Sequence, residues 1–154
     1  MIKRLNEALA WAAGAALMIM MLLSVANIIL RLAHRPLGGT AELVGWLAAL
    51  TAAFALGYTQ LHRGHVAIEL VVERLPKRPR ALLTAVISLA AALFFALAAW
   101  RTGLLAHRLS QLGKLSETMH FSYAPFTYAV AFGLACFALV LLADSLKAGK
   151  GVFK

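Results

Sequence analysis

Residues 8–30 read ALAWAAGAALMIMMLLSVANIIL, without one Asp, Glu, Lys or Arg. A helix rises ~1.5 Å per residue, so a run of this length covers the ~30 Å of bilayer hydrocarbon, whereas a soluble helix of the same length keeps a polar face. Three further runs, residues 43–61, 81–100 and 121–143, are equally free of these four residue types, and nearly every charge lies in the gaps between them. The pattern predicts an all-α membrane protein with four transmembrane helices, at about residues 8–30, 43–61, 81–108 and 121–145, in a single domain over residues 1–154. With 154 residues, 62% of them hydrophobic, and a mean hydropathy of +0.82, the chain has no room for a second domain.

The formal charge of +9 is spread over loops and ends, with no basic cluster carrying interleaved aromatics, which argues against nucleic acid as a partner. Topology accounts for it. Lys3, Arg4, Arg63, Arg74, Lys77, Arg78, Arg80, Lys147, Lys150 and Lys154 fall on one side of the predicted membrane, and the smaller set Arg31, Arg35, Arg101, Arg108 and Lys114 on the other. Lys and Arg are retained on the cytoplasmic side, so both termini and the link between helices two and three are expected inside. Ser24-Val25-Ala26 loosely resembles a signal-peptide cleavage site. The apolar run is longer than a signal core and continues through Asn27 to Leu30, so it is read as a retained helix.

In helix two, Gly45, Ala49, Ala53 and Gly57 recur every four residues and line up along one side. Such a ridge lets another backbone approach closely, either within this chain or from a larger membrane partner. Thr40 is placed to cap that helix, and Glu42 in its first turn suits the helix dipole or pairs with Arg31 or Arg35. Between helices two and three, Ala67, Ile68, Val71, Val72 and Leu75 share one helical arc, and His62, His65, Glu69, Glu73 and Lys77 the opposite one. This predicts a short amphipathic helix lying on the inner membrane surface, bounded by Gly64 and Pro76, with Arg63, His65, Arg74, Lys77 and Arg78 near phospholipid head groups. Leu104, Leu105, Leu109 and Leu112 carry the helical period of helix three past its apolar run as far as Gly113. Pro125 falls in the first turn of helix four, where a missing amide hydrogen matters little.

Ionisable groups deep in the membrane mark ion or substrate paths, and none lies well inside the four runs. Asn27 is the most polar deep residue and suits a hydrogen bond between helices. Cys136 is the only cysteine, which excludes a disulfide framework and a thiolate metal site. His62 and His65 fall on the inner side, and His34, His107 and His120 on the outer, without metal-ligand spacing. No catalytic arrangement and no cofactor site is expected. The competing classes are a haem b or quinone-type membrane anchor of a respiratory enzyme, and a self-sufficient small exporter, which would need a membrane-embedded carboxylate.

The stretch from Asn27 and Arg31, through Glu42-Leu43, Gly57-Tyr58 and Arg63-Gly64-His65-Val66, to Leu70 and Leu75-Pro76 resembles the small membrane subunit of tripartite ATP-independent periplasmic (TRAP) transporters. Tyr128 and Gly133 extend the similarity into the second half. The resemblance implies a multi-pass protein of the bacterial inner membrane, within a secondary transporter that takes up organic acid anions such as C4-dicarboxylates or sialic acid, typically driven by sodium. A large membrane subunit would carry the transport site, and a periplasmic binding protein would deliver the substrate. The small subunit would brace the large one, with Asn27, Arg31, Glu42 and the ridge Gly45, Ala49, Ala53 and Gly57 as partner or structural contacts. It is not expected to be an enzyme.

Overall fold

The computed structural model describes residues 2–35, 37–62, 76–116 and 118–152. They form α1 (Ile2–Leu32), α2 (Thr40–Leu61), α3 (Lys77–Gln111) and α4 (Ala124–Val152). Each contains a segment long and apolar enough to cross a bilayer: Lys3–Leu32, Thr40–Leu61, Leu82–Gln111 and Ala124–Lys147. Among the described residues the only extended pairing is an isolated bridge between Leu115 and Ser122. This is the all-α membrane architecture that the apolar runs imply. The amphipathic helix expected before Pro76, with Arg63, His65 and Arg74, lies outside the described residues, while Lys77 and Arg78 belong to the first turn of α3.

The helices overrun the apolar runs because hydrogen-bonding signals, not hydropathy, set their ends. In α1, the Arg35 N–H donates to Leu30 O at 2.9 Å and the His34 N–H to Arg31 O at 3.1 Å, with His34 at φ 55°. This is a Schellman closure, with histidine in the left-handed position that usually holds glycine. α3 ends in the same way with the usual residue: Lys114 N–H donates to Leu109 O and Gly113 N–H to Ser110 O, with Gly113 at φ 57°. At 35 residues, α3 is roughly 52 Å long, well beyond the ~30 Å of hydrocarbon, and it continues through the leucine period to Gln111. α4 starts later than expected, at Ala124. Phe121 is engaged in the return loop, where its carbonyl accepts the Ser116 N–H at 2.8 Å.

α1 packs on α2, α2 on α4, and α4 on α3, while α1 touches α4 only slightly. Among the described residues α1 and α2 do not pack on α3, so the helices form an open ribbon in the order α1, α2, α4, α3 rather than a closed bundle. α4 is its central member. In the most apolar stretch of α4, 39% of residues are buried, against 11% in α1 and in α2. Phe137 and Leu141 of α4 form the core with Ala92, and Phe95 meets Phe137 edge to face at 4.6 Å. The Ser145 hydroxyl donates to Ala85 O at 3.0 Å, joining the N-terminal part of α3 to the C-terminal part of α4. In α1, Leu9, Ala13 and Ala16 are buried, and Asn6 is seated against Gly57.

Gly133 is where α4 approaches α2 most closely. A Cβ there would lie 2.8 Å from the Phe54 ring and 3.0 Å from Ala53, including its backbone, which cannot yield as a flexible side chain would. Overpacking of this kind costs ~1–3 kcal/mol. Gly133→Leu should therefore lower the thermal unfolding midpoint in detergent, whereas Gly14→Leu, whose Cβ would meet nothing within 4 Å, should leave it unchanged or raised.

Candidate functional site

Two regions gather the residues that the sequence singles out. The first is the rim where the α1–α2 link meets the α3–α4 return. α2 begins after Gly39, whose φ of 76° favours glycine, and no side chain caps its first turn. The Thr40 hydroxyl instead donates to Leu37 O at 2.9 Å, so the expected Thr40 cap is not formed. Asn27 does not reach a neighbouring helix: its Oδ1 accepts the Leu37 N–H at 3.1 Å and pins the link to the end of α1. Leu37 thus has both backbone groups engaged, one on each side of the hairpin.

Glu42 faces the opposite hairpin. Its carboxylate accepts the Ser116 hydroxyl through Oε2 and the Thr118 hydroxyl through Oε1, the latter at 3.4 Å. Ser116 is buried, and its Oγ also accepts the Met119 N–H at 3.2 Å. The carboxylate is therefore held by the α3–α4 return, and no ion pair joins it to Arg31 or Arg35, which are both exposed. The Met119 side chain covers Gly39, leaving no space for a Cβ there, and the Thr118 methyl lies 3.5 Å from the Cβ position of Gly38. The sequence did not indicate that Ser116 and Thr118 would be the partners of Glu42.

The second region is the ridge on α2, which the structure divides. Ala53 and Gly57 are buried, the first under Gly133 and the second under Asn6. Gly45 and Ala49 are exposed, and a Cβ on Gly45 would meet nothing within 4 Å. Ala41, Ala48 and Ala52 are exposed as well, on the same side of α2 at 100° per residue. That face contrasts with the bulky exposed residues of α1, such as Leu22, Ile28 and Ile29. Trp46 turns the other way and packs on Tyr123 at 5.1 Å and on Phe126 at 4.7 Å. At the C-terminal end of α2, the Gln60 amide donates to Asp144 Oδ2 at 3.2 Å, and Lys147 lies 3.8 Å from Asp144 Oδ1.

Among the described residues, no three of His, Cys, Asp and Glu gather in a way that could hold a metal ion. The polar contacts that join the two hairpins lie at the rims, through Glu42 at one end and Asp144 at the other. The four spanning helices define an integral, multi-pass membrane protein. Residues 20–150 match the family model for the DctQ component of tripartite ATP-independent periplasmic transporters, and the chain belongs to that family. It is a multi-pass inner-membrane protein and a transporter component, from a family that is not one of enzymes. Comparison with curated proteins and with solved structures gives no significant match.

The proximity of Gly38 and Thr118 is directly testable. A Gly38→Cys/Thr118→Cys pair should form a disulfide on mild oxidation, seen as a mobility shift that a reductant reverses; Cys136 is buried and should not interfere. Ser116→Ala leaves Glu42 short of a donor and should slow that cross-link, whereas an unchanged rate would show that the clamp does not hold the two loops together.

Proposed function

We propose that this chain is the bracing subunit of a secondary transporter for organic acid anions, coupled to sodium, whose transport site lies in a large membrane subunit. A periplasmic binding protein delivers the substrate to the outer rim. The observation that carries this is an open ribbon with little of its own core: α1 and α2 leave most of their apolar surface uncovered, and α2 presents a face of alanine and glycine. In lipid there is little hydrophobic drive between helices, so association relies on van der Waals fit and on backbones that approach closely. Gly45 and Ala49 supply that fit for a helix of the large subunit, while Ala53 and Gly57 serve the chain's own packing.

Both termini lie inside in this reading, following the excess of Lys and Arg on that side. The rim built from Asn27, Arg31 and Glu42 then faces the periplasm, where its locked loops give the binding protein a fixed surface. Arg63, His65, Arg74, Lys77 and Arg78 hold an amphipathic segment to phospholipid head groups at the inner surface. A wide and rigid subunit anchors the static part of the large one, so that its moving part works against a fixed frame.

Gly45→Leu/Ala49→Leu should abolish co-purification with the large subunit while leaving the thermal midpoint of the isolated chain unchanged, because both positions are open in the free chain. In vesicles holding all three components, Glu42→Ala and Arg63→Ala should each reduce sodium-driven uptake, with substrate affinity of the soluble component unaltered. Uptake of an organic acid by this chain alone would overturn the assignment.

A further inference from the structure

α3 and α4 leave a groove of ≈ 710 Å³ along one side of their contact. At 100° per residue, its α4 residues Tyr128, Ala135, Leu139 and Leu142 lie opposite Phe126, Gly133 and Asp144, which meet α2. The groove is therefore on the side of α4 turned away from α2. Ala96 and Gly103 of α3 and Ala131 and Ala135 of α4 give it a low floor, and Leu93, Trp100 and Leu139 wall it in. Its polar groups are confined to one end. There Tyr128 Oη lies 3.5 Å from His107 Nδ1, and the Gln111 amide nitrogen lies 3.1 Å from His107 Nε2.

Gly103 indicates that something outside the chain uses this space. Glycine inside a helix costs ~1 kcal/mol relative to alanine. Gly103 has no left-handed backbone to justify that cost, and a Cβ on it would meet nothing within 4 Å. No contact inside the chain needs the missing side chain; its effect is to keep the floor of the groove low. Depth narrows the choice of occupant. Trp100 and Arg101 close the apolar run of α3, as interfacial residues do, and His107 stands roughly 10 Å further out along the helix, at head-group level. Arg101 and Arg108 each follow a groove residue by one position, are exposed, and meet no carboxylate among the described residues.

We propose that the α3–α4 groove binds a phospholipid, with one acyl chain along the floor past Gly103 and Ala96 and its phosphate at the His107 end, beside Arg101 and Arg108. Two exposed guanidinium groups beside this end, those of Arg101 and Arg108, suit the phosphate of a lipid. The one-ended polarity of the groove also matches a lipid, which carries its charge at one end.

Native mass spectrometry of the full chain in detergent, titrated with phosphatidylglycerol, tests this assignment. The wild-type chain should retain a bound lipid that Gly103→Phe reduces at least tenfold and Arg101→Gln/Arg108→Gln several-fold, while Gly14→Phe, an equally open glycine outside the groove, changes nothing. Equal retention in Gly103→Phe would overturn the proposal. So would unaltered lipid retention in Gly103→Phe accompanied by lost co-purification of a larger membrane protein, which would make the groove a protein-docking face. A second measurement needs no variant: phosphatidylglycerol with a photoreactive acyl chain should label the wild-type chain chiefly between Leu93 and Leu104 and between Leu139 and Leu142. Labelling spread evenly over α1 and α3 would equally overturn it.

Discussion

Gly133 of α4 set against Ala53 of α2 lies in the α2–α4 seam that joins the two hairpins. The chain folds as α1 with α2 and α3 with α4, and the α2–α4 seam carries nearly all the contact between them. Burying apolar surface does not drive that join, because lipid chains are as apolar as leucine. Close approach drives it, so the seam needs a glycine at its tightest point. Trp46 on Tyr123 and Phe126 holds it at one end, and Gln60 on Asp144 at the other. Three points along one line fix the relative tilt of two hairpins, which a single contact cannot do.

Rim contacts follow from that seam. Glu42 reaches Ser116 and Thr118 because α2 and α4 are neighbours and their outer ends therefore bring the two links together. A carboxylate accepting hydroxyl donors makes a stronger hydrogen bond than a neutral acceptor would. At the rim this strength is useful, since water competes there and apolar packing is thin. Two distant stretches of chain are thereby tied together at this rim.

Much of this was legible in the sequence, where the information is local. The four helices follow from uninterrupted apolar runs, and the outward extension of α3 from the leucine period and Gly113. The partners of Glu42 were not legible, because Ser116 and Thr118 lie more than seventy positions away and only the α2–α4 seam brings them close. The ridge of Gly45, Ala49, Ala53 and Gly57 was visible as a pattern, but its division was not. Which half is covered depends on where α4 crosses. The close of α1 was hidden for a different reason, since His34 occupies a left-handed position that sequence reading assigns to glycine.

Glycine therefore has two uses in these helices, and their geometry separates them. At Gly133 a Cβ would collide with the Ala53 backbone and the Phe54 ring, and at Gly57 it would displace the Asn6 amide, so both small residues serve contacts inside the chain. At Gly14, Gly45 and Gly103 a Cβ would enter empty space, so the chain bears a cost in helix propensity without an internal return. In a soluble helix such positions would cost stability and give nothing back. In a membrane helix they leave backbone open to close approach by another helix or by a lipid, and all three lie outside the α2–α4 seam. The subunit thus fixes its own shape with one set of small residues and keeps a second set available on its outer faces, as expected of a component completed by what surrounds it.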